Sequence, residues 1–288
     1  MRISHNITAM NTYRQYNTNT VATNRSMEKL SSGSRINRAA DDAAGLSISE
    51  KMRSQIKGLT QATRNAQDGV SFLQTAEGAL NEVSDMLVRM KELAVQVQNG
   101  TYSTADKVNI GSEMKALGKA MGDIFVNTKF NGIEVFGKKT FNDTDGTLAA
   151  AGGAPTTAAV IKYGENGTQS VTIDAATVAK LSDLTELTQV ATSATAAAAV
   201  DTTTVEDAIT EVNTTRANYG AQQNQLEHAS NNMATTKENL QAAESRIRDV
   251  DMAEEMMSYT KNNILLQAAQ AMLAQANAQP QGVLQLLQ

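Results

Sequence analysis

The stretch VEDAITEVNTTRANYGAQQNQLEHASNNMATTKENLQAAESRI, Val205 to Ile247, decides the fold. One apolar side chain stands at every seventh position: Val205, Val212, Tyr219, Leu226, Met233, Leu240 and Ile247. An α-helix turns once per 3.6 residues, so a strict seven-residue repeat holds these side chains against a partner only if the helix supercoils around it. The neighbouring seam position carries Ala208, Thr215, Gln222, Ala229, Thr236 and Ala243, mostly small residues that let a partner come close. At 1.5 Å per residue the helix, from near Thr204 to about Ile247, spans roughly 65 Å.

A matching register lies far upstream, where Leu73, Ala76, Leu80, Val83, Leu87, Met90, Ala94 and Val97 alternate three and four apart. Two seams separated by more than a hundred residues predict a chain that runs out, turns back and zips onto itself. The expected fold is mainly α: a long antiparallel helical bundle or coiled coil built from the N- and C-terminal segments. Such a hairpin makes a rod, and rods are usually building material.

Local signals divide the rest. Residues 1–35 are polar, with sparse apolar points at Ile3, Ile7, Met10, Val21 and Leu30, and Ser31-Ser32-Gly33-Ser34 reads as a helix break. Helix is expected from about Leu46 to Gln98, ended by Asn99-Gly100, residues tolerant of positive φ. Ser103, three residues before Asp106, predicts a capping box opening a shorter helix with Val108, Met114, Leu117, Met121 and Ile124 on its face. Phe130–Gly137 and Val160–Asp174 read as short strands with turns at Asn131-Gly132 and Asn166-Gly167. Thr140–Ala159 and Thr188–Thr204 are Thr/Ala/Gly-rich and read as a loosely structured lobe. After a second break at Ser245–Asp251, a last helix places Leu266, Ala269, Leu273 and Ala276 on one face, and Pro280 is expected to restart or kink it.

Composition narrows the function. Aromatic residues are 4% with no Trp, thin for a large globular core. There is no Cys, which excludes disulfides and thiolate metal sites, and His5 and His228 have no helically spaced partner for zinc. Thirteen Met residues read as seam packing. Asp41-Asp42 and Glu254-Glu255 lie beside helix breaks, where acids favour N-termini, so they read as caps or as solvated surface rather than as acid–base pairs. No phosphate-cradling Gly pattern and no nucleophile elbow is present, so no enzyme and no cofactor is expected.

Charge is lopsided. Residues 1–40 hold Arg2, Arg14, Arg25, Lys29, Arg35 and Arg38 against Glu28; residues 249–288 hold Asp249, Asp251, Glu254 and Glu255 against Lys261. The charges read either as two solvated surfaces or as termini that sit together and complement each other. The basic residues are scattered and the chain carries net −5, which argues against nucleic acid. The last 27 residues are uncharged, but seven Gln and three Asn there oppose membrane insertion. The opening residues never form the apolar run of a cleavable signal peptide.

Both ends then show a resemblance. MRISHNITAMNTYRQY and SSGSRINRAADDAAGLSISEKMRSQIKGLTQATRNAQDGVSFLQTAEGALNEVSDMLVRMKELAVQ at the front, with LQAAESRIRDVDMAEEM and ILLQAAQAMLAQANAQPQGVLQLLQ at the back, closely resemble bacterial flagellin. Roughly residues 1–137 and 205–288 carry the likeness, and the short middle does not. The resemblance implies a structural subunit that is exported and polymerises into the flagellar filament. It implies a terminal coiled-coil domain of residues 1–40 with 249–288, packed through Ile3, Ile7, Leu30, Leu266, Leu273, Leu284 and Leu287. It further implies a helical rod domain of 41–137 with 205–248, and a short variable region, 138–204. The implied partners are further copies of the chain, an export chaperone on the C-terminal helix, filament cap and hook-junction proteins, and a host Toll-like receptor. Positions matching the family's receptor contact are Arg89, Leu93 and Glu113, with Met90 and Lys91 as departures. Export would run through the flagellar type III apparatus to an extracellular filament. The competing readings are a hook–filament junction protein, a minor filament subunit, or a soluble coiled-coil adaptor. An embedded peptidase is excluded because no HExxH motif exists.

Overall fold

The computed structural model describes residues 6–136, 139–141, 148–150, 157–164, 169–174 and 202–286. Five helices are present among them: α1 (Ile7–Ser32), α2 (Ala43–Gln98), α3 (Thr104–Asn127), α4 (Thr202–Arg248) and α5 (Met252–Leu286). Six short strands form three separate antiparallel pairs: β1 (Lys129–Phe130) with β2 (Ile133–Glu134), β3 (Lys139–Phe141) with β4 (Leu148–Ala150), and β5 (Thr157–Lys162) with β6 (Ser170–Asp174). The mainly α expectation is met. The chain divides into two compact units, residues 1–56 with 237–288 and residues 57–236.

In the second unit the two seams close on each other. Leu73, Ala76, Leu80, Val83, Leu87, Met90, Ala94 and Val97 of α2 are each 1% exposed or less, as are Val205, Ala208 and Val212 of α4. Tyr219, Leu226 and Met233 are also buried. The Lys91–Glu206 ion pair (2.9 Å) and the closeness of Leu226 to Gly69 set α2 and α4 antiparallel. Helix α3 returns along α2, with Arg89 bonded to Glu113 and Gln96 to Tyr102. Its buried face is Ile110, Met114, Met121 and Phe125.

The capping box forms as expected: Ser103 Oγ accepts from the Asp106 amide, while the Asp106 carboxylate accepts from the Ser103 amide. Asn131 (φ 50°) and Gly132 (φ 79°) make the left-handed turn that joins β1 to β2. That hairpin is pinned by edge-to-face rings, Phe72–Phe130 at 5.7 Å and Phe125–Phe136 at 4.7 Å. The β5–β6 hairpin lies against α2 where only glycine fits: a Cβ on Gly69 would strike Ile161. Asn65 Nδ2 donates to the Lys162 carbonyl (3.1 Å), and Val171 and Ile173 point inward.

Helix α2 stops at Gln98, before Asn99-Gly100 as expected, although neither residue adopts positive φ; the Asn99 amide donates to the Gln96 carbonyl, and Asn99 Oδ1 accepts from the Thr101 amide. Other expectations change. Helix α5 continues through Pro280 to Leu286 rather than restarting there. Part of Thr140–Ala159 is strand, in β3, β4 and β5, because main-chain pairing needs no large side chains. The expected Asn166-Gly167 turn and Thr188–Asp201 lie outside the described residues.

Candidate functional site

In the unit of residues 1–56 with 237–288, α1 and α5 run antiparallel. Asn6 Nδ2 donates to the Ala276 carbonyl (2.8 Å), Tyr16 meets Gln270 (3.4 Å), and Lys29 pairs with Glu255 (3.5 Å). The last contact joins the basic head to the acidic tail. The covered positions follow a heptad on both helices: Ala9, Thr12, Tyr16, Asn19, Thr23, Ser26 and Leu30 on α1, and Glu255, Tyr259, Asn262, Leu266, Ala269, Leu273 and Ala276 on α5.

The α1 seam is mostly polar or small. Asn19, Thr23 and Ser26 are its most buried members, and the Thr23 hydroxyl donates to the Asn19 carbonyl (2.8 Å). The large apolar residues lie outside the seam. Ile7 is 64% exposed, Met10 65%, Met257 69% and Ile264 61%, with Tyr13, Val21, Met27, Met252, Met256, Leu265 and Met272 also exposed. This inversion overturns the reading of methionine as seam packing: Met90, Met114, Met121 and Met233 are buried, but six others face out. Of the residues expected to pack the terminal coiled coil, Leu30, Leu266 and Leu273 are half-buried while Ile7 is exposed. Ile3 and Leu287 lie outside the described residues, as does the side chain of Leu284. Leu240 and Ile247, at the end of the α4 seam, are half-buried.

Where α1 ends and α4 ends, the backbone forms a clasp. Gly33 caps α1 at φ 68°. Its carbonyl accepts from the Val250 amide (3.1 Å), and the Arg35 amide donates to the Arg248 carbonyl (2.6 Å). Arg35 Nη2 also reaches the Ile247 carbonyl. Arg248 Nη1 bonds Glu50 (2.8 Å), and this guanidinium holds the Glu50 carboxyl below the usual glutamate range. The backbone amides of Arg38 and Asn37 lower Asp41 in the same way. Asp42 Oδ1 accepts from the Gly45 amide and Asp251 Oδ1 from the Ala253 and Glu254 amides, so Asp42 and Asp251 cap the helices, while Glu254 and Glu255 lie within the first turn of α5. Ile36, unflagged by any periodicity, is 1% exposed between the two breaks.

Arg89 and Glu113 are exposed and joined, at 2.9 and 3.1 Å, with Arg89 also bonded to Glu92. Hydrogen bonds donated to the carboxylates of Glu92 and then Glu113 raise the Arg89 pKa. Leu93 is 1% exposed and belongs to the interior. Among the described residues no group of His, Cys, Asp or Glu could hold a metal, and no helix is long and apolar enough to cross a membrane.

Residues 3–140 match the bacterial flagellin N-terminal helical region, and residues 202–287 match the bacterial flagellin C-terminal helical region. The chain belongs to the bacterial flagellin family. It is 46% identical to a flagellin of Bacillus subtilis and 48% identical to a flagellin of Halalkalibacterium halodurans, in each case across all of both chains. A solved Vibrio parahaemolyticus chain assigned as a flagellar hook-associated protein superposes with TM-score 0.61 over 73% of this chain and 100% of its own, at 14% identity. That second likeness is one of fold alone, so the hook–filament junction reading is not favoured. The chain is a structural subunit of the bacterial flagellar filament, a motility polymer, and not an enzyme. Its family's place is the extracellular filament.

Proposed function

We propose that the outward apolar faces of α1 and α5 are where copies of this chain lock together, making residues 1–40 with 249–288 the filament's core domain. Residues 41–137 with 205–248 then form the surrounding helical domain, and 138–204 the outer variable region. One observation carries this reading: the helix pair covers Asn19, Thr23 and Ser26 while leaving Ile7, Met10, Met257 and Ile264 in water. A pair so arranged gains little from its own seam and much from neighbours, since each large apolar side chain removed from water contributes about 1.5–3 kcal/mol. Alone, such helices barely offset the entropy of ordering them.

The test is seeded polymerisation of a Met257→Glu, Ile264→Glu double variant, followed by electron microscopy. The expected outcome is loss of filaments with the seam of residues 57–236 still cooperatively folded. Normal filaments overturn the reading.

The partners follow from the same faces. An export chaperone covers the apolar face of α5 before type III export, and cap and hook-junction proteins meet it at the two filament ends. A Toll-like receptor is engaged at Arg89 and Glu113, with Leu93 acting only by holding the helix in place. Arg89→Ala is expected to lower a receptor reporter response several-fold, and an unchanged response removes that partner.

A further inference from the structure

With no cysteine in the chain, oxidation at sulfur can fall only on methionine. The exposed and the buried methionines fall in different units, with Met52 and Met86 half-buried, one in each. Met10 (65% exposed), Met27 (50%), Met252 (50%), Met256 (49%), Met257 (69%) and Met272 (59%) all belong to residues 1–56 with 237–288. Met90, Met114 and Met121 are fully buried and Met233 is 7% exposed, all within residues 57–236. Met256 and Met257 also line an open apolar hollow on α5 with Ile264 and Leu265.

Thioether oxidation follows exposure, and its product is a polar, chiral side chain that disrupts methionine-rich interfaces. We infer that these six methionines are an oxidation site that controls assembly: a hydroperoxide reaching the free subunit converts them to sulfoxides and removes that subunit from polymerisation. The sulfur lone pair attacks the terminal peroxide oxygen, the O–O bond breaks, sulfur is oxidised by two electrons, and the other oxygen takes the hydroxyl proton and leaves as an alcohol, or as water when the oxidant is hydrogen peroxide. Reversal needs a dithiol-dependent sulfoxide reductase, which returns the oxygen as water and leaves a disulfide on the reductant. A sulfoxide oxygen on an apolar face must be buried without a donor when a second copy docks, which opposes docking. Once neighbours cover the face, peroxide no longer reaches it. The terminal helices thereby sense oxidant before assembly, while the seam of α2 and α4 stays inert. This inference rests on reading those faces as the contact between copies.

The experiment treats free subunits and assembled filaments of the full chain with hydrogen peroxide and maps sulfoxide by peptide mass spectrometry. In free subunits the six methionines are expected to oxidise about tenfold faster than Met90, Met114 and Met121, following exposure. In filaments that difference disappears. Oxidised subunits are expected to show a critical concentration for seeded polymerisation raised about tenfold or more, reversed by sulfoxide reductases with dithiothreitol. In a variant with all six changed to Leu, a swap that conserves volume, the critical concentration after peroxide should equal that variant's own value before peroxide, whatever that starting value is. If that variant fails to assemble untreated, the Met256→Leu, Met257→Leu pair replaces it and should recover part of the resistance.

Six oxidised methionines with unchanged polymerisation overturn the inference, and so does a leucine variant as peroxide-sensitive as the parent. The Met257→Glu, Ile264→Glu variant separates the two failures. If it still assembles, the contact surface itself is misassigned; if it does not assemble while peroxide leaves polymerisation of the parent chain unchanged, only the oxidation site is wrong.

Discussion

The α2–α4 seam and the α1–α5 pair use the same heptad spacing for opposite ends. The first puts Leu80, Leu87, Met90 and Val212 at zero exposure, so its stabilisation is complete within one chain. The second covers Asn19, Thr23 and Ser26 and turns methionines, Ile7 and Ile264 to solvent. The spacing sets which residues meet a partner helix; their identity sets whether that meeting is enough. A filament subunit needs both kinds of helix pair, one that folds before assembly and one whose driving force is held for the neighbours.

Four measurements would break or sharpen this contrast, in order of their effect on the isolated chain. Leu87→Ala should cost about 2–5 kcal/mol in denaturant unfolding, because it opens a cavity in a closed seam. A loss under 1 kcal/mol would mean that the seam is not the core of residues 57–236. Ser103→Ala removes a complete capping box and should cost about 1 kcal/mol. Its counterpart in the other unit, Gly33→Ala, forces a Cβ into left-handed backbone although space around it is open. Gly33→Ala should leave the main unfolding transition in place and instead speed amide exchange at Arg35 and Val250.

Acidification gives the third contrast. Glu50 and Asp41 have lowered pKa values, caused by Arg248 and by the Arg38 amide respectively. Their contribution is full above the unfolded values, about 3.9–4.3, and is lost as pH falls through the folded ones. Exchange at Arg35 and Val250 should therefore rise below about pH 4 before the seam of α2 and α4 opens. Glu50→Gln should weaken that dependence. The smallest effect on the free chain belongs to Met257→Glu, which should move unfolding by no more than about 0.5 kcal/mol. The same change should suppress assembly, and a large stability loss would show that α5 depends on that face within the monomer.

Much of this architecture was legible because it depends on local chemistry. Ser103 with Asp106, Asn131 with Gly132, and the apolar heptads of α2 and α4 each carry their reason in a few neighbouring residues. The α1 seam was missed because a search for apolar periodicity passes over Asn19, Thr23 and Ser26. A search for small residues at three-and-four spacing would have found Thr12, Tyr16, Asn19, Thr23 and Ser26. Asn99-Gly100 marks the end of α2, yet neither residue adopts positive φ, because tolerance of it is a permission rather than an instruction. Pro280 does not restart the helix, because a cost to one helical bond does not settle whether the helix continues.

Sequence alone determined that the chain is helical at both ends, that Val205–Ile247 and Leu73–Val97 carry complementary faces, and that catalysis has no residues to support it. These follow from periodicity and side-chain chemistry, which are properties of order along the chain. Tertiary structure decided which face of α1 meets α5, that Gly33 and Arg35 join Val250 and Arg248, and which methionines remain in water. Those outcomes rest on contacts between residues some two hundred positions apart, where the competing faces of one helix are chosen by the partner they meet.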